Sequence, residues 1–147
     1  MESVWVRRFA VFGAIFALVS VAAGAFGAHG LRARLTPELL TVFETGARYQ
    51  MYHGLALLAT AGALGRWPSR AGVAAGLAFV IGILMFSGSL YLLALTGVRW
   101  LGAVTPFGGV AFLVGWACLA WCAARGSDAN ATFTDQRGRP DEHASHR

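Results

Sequence analysis

The stretch Phe9–Ala28, which reads FAVFGAIFALVSVAAGAFGA, is 20 residues long and contains no ionisable side chain. A helix rises about 1.5 Å per residue, so it reaches about 30 Å, the thickness of the hydrocarbon core of a bilayer. Arg7 and Arg8 directly precede it, as is typical of a helix end at the lipid headgroups. The stretch predicts a membrane-spanning helix. We prefer this interpretation to a cleaved secretory signal because the apolar run is long enough to cross.

Three further apolar runs follow along the chain, at Tyr49–Gly65, Ala71–Val98 and Trp100–Ala124. The only charged residues between Tyr49 and Ala124 fall in the gaps between these runs, at Arg66, Arg70 and Arg99. Hydrophobic residues make up 56% of the chain and charged residues 13%, with a mean hydropathy of +0.57. A soluble domain would carry about 25% charged residues. The sequence therefore predicts an all-α, polytopic membrane bundle of four transmembrane helices.

The segment Leu31–Arg48 has a different, amphipathic pattern. Thr36-Pro37-Glu38 is a typical helix start, because threonine caps the first turn, proline fits the first helical position and glutamate favours the positive end of the helix dipole. Glu44 and Arg48 then form an i,i+4 pair. We interpret this pair as a headgroup-level helix stabiliser rather than a proton relay. The segment predicts a short amphipathic helix at the membrane interface, between the first and second spans.

The pattern of arginines predicts the domain limits and the orientation. Residues 1–125 form the predicted transmembrane domain, and residues 126–147 are polar enough to form a disordered C-terminal tail. Five arginines lie on the side of the two termini, at Arg7, Arg8, Arg66, Arg70 and Arg125. The opposite side has Arg32, Arg34 and Arg99, or four arginines if Arg48 is counted. This bias favours cytoplasmic termini.

Several function classes are disfavoured by composition. The 12 basic residues give a formal net charge of +5, but they are scattered between apolar runs, so nucleic-acid binding is not expected. Cys118 and Cys122 lie inside an apolar run and are interpreted as packing residues. The chain shows no catalytic set, phosphate-binding loop or metal-ligand spacing. We therefore expect no catalytic residues, no metal site and no cofactor, and we predict that the protein is not an enzyme.

Polar residues occur in four short strings, and in an up-down bundle all four lie toward one end of the spans. We interpret them as one polar cluster, made of His29, Tyr49, Gln50, His53, Ser87, Ser89, Tyr91 and Thr105. His29 and His53 are the two members of this cluster whose side chains can act as metal or haem ligands. They either ligate a haem or metal as a pair of imidazoles, or hydrogen-bond between helices, and we prefer the second interpretation because no carboxylate or cysteine stands at ligand spacing.

These strings also carry a family resemblance. The segments GAFGAHGL, FETGARYQMYHGLALL, FSGSLYLLALTG and TPFGGVAFLVGW, in this order over residues 10–122, resemble the small bacterial inner-membrane proteins of the domain of unknown function 423. The eukaryotic transmembrane protein 256 is related to that family. The resemblance implies a multi-pass four-helix protein of the bacterial cytoplasmic membrane. It implies no catalytic or binding role for any residue.

Three hypotheses for function remain open on the sequence. The first is an interaction, assembly or lipid-binding role, with membrane lipids, other membrane proteins or a second copy as partners. The second is a small transporter or channel lined by the polar cluster, although a carboxylate within the apolar spans, which would favour proton coupling, is absent. The third is a haem- or metal-binding protein that uses His29 and His53. We rank them in this order.

Overall fold

The computed structural model describes the backbone of residues 2–137 and the side chains of residues 4–126. Over this range the chain is helical and contains no strand. The elements in chain order are α1 Glu2–Phe26, a π turn Gly27–Leu31, α2 Pro37–Arg66, α3 Arg70–Gly82, a second π turn Ile83–Ser87, α4 Gly88–Thr96, a 3-10 turn Arg99–Ala103 and α5 Thr105–Arg137. The predicted all-α class is confirmed.

Three helical rods are long and apolar enough to cross a membrane. They are Val4–Leu31, the rod Arg70–Thr96 made of α3, its π turn and α4, and the segment Arg99–Gly126 made of the 3-10 turn and the first part of α5. They contain the first, third and fourth predicted spans, apart from the last two residues of the third. The helix α2 is not among them, because charged and hydroxyl side chains interrupt its N-terminal half. The fourth span is therefore not confirmed on length and composition alone.

The helix α2 begins where the sequence predicts and then continues without a break. The side chain of Thr36 accepts a hydrogen bond from the N–H of Leu39 at 3.4 Å, and Pro37 takes the first helical position. From there one helix of 30 residues runs to Arg66. The structure does not confirm a separate short interfacial helix, because no turn divides the predicted segment from the apolar run that follows.

The helices run alternately up and down, with α2 in the middle. Along its length α2 packs against α1 on one side and against the α3–α4 rod on the other, while α5 packs mainly on that rod. The main core consists of large side chains from all four rods, among them Phe9, Leu57, Phe79 and Phe112. We call the end of the bundle where α2 begins the Pro37 end, and the opposite end the Arg66 end.

The outer surface of the bundle is apolar over most of its height. On α1 alone, Leu18 is 70% exposed, Val21 is 61% exposed and Phe26 is 50% exposed. Leu84 and Leu113 continue this surface on the other rods. Water would not tolerate so much exposed apolar area, and lipid does. We call this surface the apolar belt.

The structure does not test the predicted boundary between the transmembrane domain and the C-terminal tail. Helix α5 extends to Arg137, but the side chains of residues 127–137 and all of residues 138–147 lie outside the described part of the chain. The division into residues 1–125 and 126–147, and the disordered tail, stay predictions.

Candidate functional site

Gln50 is the centre of a buried hydrogen-bond network that joins three helices. Its amide Nε2 donates to the carbonyl of Phe16 on α1 at 2.9 Å, and its Oε1 accepts from the Tyr91 hydroxyl on α4 at 3.1 Å. Close by, the Ser20 hydroxyl donates to the carbonyl of Ala47 at 2.6 Å. The side chain of Gln50 is 3% exposed. These bonds use both ends of its amide, so Gln50 positions helices and is not free to bind a solute.

The Gln50–Tyr91 bond is expected to contribute a measurable coupling to stability. In a double-mutant cycle of Gln50→Leu and Tyr91→Phe, we expect a coupling free energy of about 1 kcal/mol, the usual scale for a hydrogen bond between membrane helices. The free energy of unfolding in mild detergent measures it. The Tyr49 hydroxyl has no hydrogen bond among the described residues, so Tyr49→Phe serves as the control. Equal couplings in the two cycles would contradict the role assigned to Gln50.

His53 is a buried histidine whose two ring nitrogens are both engaged. Nδ1 lies 2.8 Å from the carbonyl of Tyr49, and Nε2 lies 3.3 Å from the indole Nε1 of Trp116 on α5. A carbonyl only accepts and an indole N–H only donates, so this network assigns a neutral ring with its proton on Nδ1. The ring also stacks on Phe112, with centroids 3.4 Å apart. His53 therefore serves packing between α2, α3 and α5.

The structure separates the two histidines that the sequence places at matched depth. His29 is exposed in the first π turn, thirteen residues beyond Phe16, whose carbonyl bonds Gln50. Thirteen residues of helix correspond to about 20 Å along the axis, so His29 lies about 20 Å above the level of Gln50. His53 lies almost one turn below Gln50 and is therefore still farther from His29. Zinc–imidazole bonds are about 2.1 Å long. Within one chain, this separation disfavours the hypothesis that His29 and His53 ligate one metal or haem.

The serine and threonine residues of the predicted cluster connect α4 to α5. The Ser89 hydroxyl donates to the carbonyl of Phe86 at 3.0 Å and lies 2.9 Å from the hydroxyl of Thr105. Ser87 is fully buried, and its hydroxyl has no hydrogen-bond partner among the described side chains. Ser89 and Thr105 thus fasten the Pro37 end of the bundle.

The cluster extends deeper than the sequence indicates. His53 stands sixteen residues after Pro37 and thirteen before Arg66, so it lies at the middle of α2 and not near one end. The reason is the length of α2: the apolar run begins at Tyr49, but the helix begins twelve residues earlier. The predicted residues therefore divide into three groups. His29 and Tyr49 are exposed, and Ser87 is buried without a hydrogen-bond partner among the described residues. The others form a buried or half-buried hydrogen-bonded set of Gln50, His53, Ser89, Tyr91 and Thr105.

Beside the buried set, a groove opens sideways between α2 and α5. It has a volume of about 580 Å³ and is lined by aromatic and apolar residues, mainly Tyr49, Tyr52 and Leu55 from α2 and Gly109, Leu113 and Trp116 from α5. Tyr49 stacks on Phe86 at 4.6 Å and is 38% exposed. The groove faces the surroundings of the bundle, at the height of the apolar belt.

The outward face of α2 adjoins this groove and carries the polar residues that the sequence places at the headgroups. Arg48 and Thr41 are exposed, and Glu44 and Thr45 are half-buried. Each threonine hydroxyl donates to the carbonyl four residues earlier in its own helix. In the part of the chain that the structure describes, Glu44 and Arg48 form no ion pair with each other or with another residue. The predicted helix-stabilising pair is thus not formed.

The height of Arg48 is set by contacts between α1 and α2. Because Ser20 bonds the carbonyl of Ala47, Arg48 stands level with Val19, which is 46% exposed. The exposed Phe26 lies seven residues farther toward the Pro37 end, which is about 10 Å along the axis. Arg48 is therefore inside the apolar belt. Glu44, one turn higher, lies about 5 Å inside it by the same measure.

Sequence reasoning missed this surface for an identifiable reason. It assigned Glu44 and Arg48 to a separate interfacial helix, where exposed charge needs no explanation. The sequence also did not identify two residues as part of the hydrogen-bonded set. They are Trp116, which donates to His53, and Ser20, which donates to the carbonyl of Ala47. The groove depends on how far α5 stands from α2, which no local pattern encodes.

Comparison with known proteins gives consistent relatives. The family described as "Protein of unknown function (DUF423)" matches residues 23–109. A UPF0382 membrane protein of Staphylococcus saprophyticus is 50% identical over 113 residues, covering 77% of this chain and 93% of the relative. The UPF0382 membrane protein YwdK of Bacillus subtilis is 43% identical over 120 residues, covering 81% of this chain and 98% of the relative. No solved structure matches significantly.

Proposed function

Since the chain belongs to the DUF423 family of bacterial membrane proteins, we propose that it is a four-span assembly protein that docks a membrane partner on the outward face of α2. The observation that carries this proposal is the exposed, unpaired Arg48 inside the apolar belt. A charged side chain is costly in hydrocarbon and is normally paired or faces a protein surface. A partner that covers this face removes the cost.

A fourth span through α2 is supported by its packing. The helix lies against α1 and against the α3–α4 rod over the height that those rods share. Its central residues Leu57 and Thr60 are fully buried. Packing between two apolar rods along their shared height supports a similar depth of α2 in the bilayer. Its few charges are then a feature of one face, and not a reason to place it outside the membrane.

The ends of the bundle support the proposed location and orientation. The Arg66 end has three arginine–tryptophan pairs, in which Arg8, Arg66 and Arg125 lie 5.3, 5.9 and 4.7 Å from the rings of Trp5, Trp67 and Trp121. Tryptophan and arginine together are typical of the membrane interface. The arginine bias favours a cytoplasmic Arg66 end, with both termini on that side of a bacterial cytoplasmic membrane.

Removal of both charges is expected to release the partner. In Glu44→Ala/Arg48→Ala, the free bundle no longer exposes charge to lipid, so the bound fraction falls and we expect affinity to drop by about tenfold. Native electrophoresis of cross-linked, gently solubilised membranes measures the complex. Arg32→Ala removes an exposed charge in the loop before α2 and is the control. A wild-type chain that migrates without any partner would contradict the proposal.

The other hypotheses have less support. Lipid binding remains an alternative for the groove between α2 and α5, whose walls suit an acyl chain. Transport is disfavoured because the buried polar groups Gln50 and His53 are engaged by neighbours. Toward the Arg66 end the interior is filled by Phe9, Leu57 and Leu64. We continue to propose a role without catalysis.

A further inference from the structure

The connection between α2 and α3 forms one wall of a recess at the Arg66 end of the bundle, and α5 forms the opposite wall. The recess has a volume of about 280 Å³. A water molecule takes up about 30 Å³ of the liquid, so the recess has room for a group of several heavy atoms, such as a phosphate. We call it the Trp67 recess. Its lining includes Arg66, Trp67, Ser69, Cys122, Arg125 and Gly126.

The surroundings of the Trp67 recess are positively charged. Arg66 and Arg125 line it, and Arg70 directly follows the connection. The side chains that the structure describes, those of residues 4–126, include two carboxylates, and both of them, Glu38 and Glu44, lie in the first third of α2 at the Pro37 end. Positive charge at one end of a membrane bundle attracts the anionic groups of lipid headgroups or of soluble solutes. The charge therefore favours an anion as the ligand.

Helix α3 begins at the Trp67 recess, because its N-cap residue Ser69 lines the recess. The Ser69 hydroxyl accepts a hydrogen bond from the N–H of Gly72 at 3.1 Å and donates to the Sγ of Cys122 at 3.1 Å. The first N–H groups of a helix have no intrahelical partner, and this cap uses only that of Gly72. The N–H groups of Arg70 and Ala71 therefore suit an anion, which the helix dipole also favours.

The indole N–H of Trp67 is an independent sign that an acceptor is missing from this recess. Its Nε1 is enclosed and has no hydrogen-bond partner in the part of the chain that the structure describes. Enclosed polar groups are nearly always paired, because an unmade hydrogen bond is costly. A Cβ on Gly126 would collide with Cδ1 of this ring, the carbon bonded to Nε1. The polar edge of the indole thus lies beside Gly126 at the wall of the recess, and a small shift of α5 at this glycine opens it to an acceptor.

We propose that the Trp67 recess binds a phosphate group. The guanidinium of Arg125, which is exposed, is its main charged contact, because a guanidinium forms two parallel hydrogen bonds to phosphate oxygens. The N-terminus of α3 and the indole N–H of Trp67 donate to the remaining oxygens. The three arginine–tryptophan pairs place the recess at the height of the headgroups. An anionic phospholipid is therefore the expected source of the phosphate, and a soluble phosphate compound is the alternative. The site is separate from the docking face proposed for α2 and does not depend on it.

Ligand-dependent thermal unfolding of the full chain in mild detergent tests the site. We expect phosphatidylglycerol to raise the melting temperature more than phosphatidylcholine does, because the choline of the latter balances its phosphate charge. Arg125→Gln and Trp67→Phe should each raise the apparent dissociation constant for phosphatidylglycerol by about tenfold. Trp67→Phe keeps an aromatic ring beside Gly126 and removes the N–H, so it tests the hydrogen-bond donor rather than the packing.

Arg8→Gln and Trp5→Phe are the matched controls. These residues form an arginine–tryptophan pair at the same end of the bundle, with the guanidinium 5.3 Å from the ring, but they do not line the recess. We expect both controls to bind phosphatidylglycerol as the wild type does. Sodium phosphate without added lipid, compared with sodium chloride at equal ionic strength, tests the soluble source. Stabilisation by sodium phosphate that the two recess variants lose, without stabilisation by phosphatidylglycerol, assigns the site to a soluble phosphate compound. Equal affinities in the recess variants and the controls, or no stabilisation by either ligand, overturns the site.

Discussion

Replacing Gly108 with alanine is expected to destabilise the bundle by about 3 kcal/mol, at the upper end of the usual cost of overpacking. A Cβ at this position would lie 2.4 Å from the backbone nitrogen and 2.8 Å from the Cα of Phe86. Phe86 belongs to the π turn Ile83–Ser87, where the rod crosses α5. A side chain can rotate away from a new methyl group, but a backbone cannot, so the two helices must separate.

The neighbouring residue provides a matched control for this experiment. A Cβ at Gly109 would have only the ring of Phe86 nearby, at 4.0 Å. Alanine is favoured over glycine in a helix by about 1 kcal/mol, so Gly109→Ala should leave stability unchanged or raise it. Thermal unfolding of both variants in the same detergent gives the comparison. Similar melting temperatures for the two would contradict the close crossing at Gly108.

The sequence predicts the helical class and three of the rods because the relevant signal is local. Uncharged runs of 20 residues or more can only cross a bilayer as helices, and arginines between the runs divide them. The start of α2 at Thr36-Pro37 is equally local and is confirmed. The continuity of α2 is not local: it depends on α1 and α4 enclosing the segment after Pro37. A charged segment beside an apolar run therefore indicates a separate helix when read alone.

The candidate site was predicted in part. The sequence predicts that Gln50, Ser89 and Tyr91 belong to one polar cluster. In the structure these three side chains do form hydrogen bonds between helices. Their depth was not predictable, because depth depends on where the helix begins. For the same reason Arg48 was placed at the headgroups. Only the contact between Ser20 and Ala47 fixes its height within the apolar belt.

Replacing His53 with alanine is expected to cost about 3 kcal/mol of stability, comparable to truncating a large core side chain. The substitution removes a ring that stacks on Phe112 and leaves a cavity between α2 and α5. It also leaves the indole N–H of Trp116 without its acceptor, whereas the carbonyl of Tyr49 keeps its helical bond to the backbone N–H of residue 53. Trp116 is 48% exposed, so its unpaired N–H adds about 1–3 kcal/mol to this cost only where lipid, and not water, surrounds the indole.

The comparison with His29 separates a packing role from ligand binding. His29 is exposed, so His29→Ala should change the free energy of unfolding by less than about 0.5 kcal/mol. If instead the two histidines ligate one metal or haem, each of the two substitutions would remove the stabilisation that the bound ligand provides. Unfolding of wild type, His29→Ala and His53→Ala, each with and without added Zn²⁺ or haem, decides between these outcomes. The neutral, doubly engaged ring of His53 predicts a large effect of His53→Ala alone, independent of either ligand, because the energy resides in packing and in the Trp116 bond.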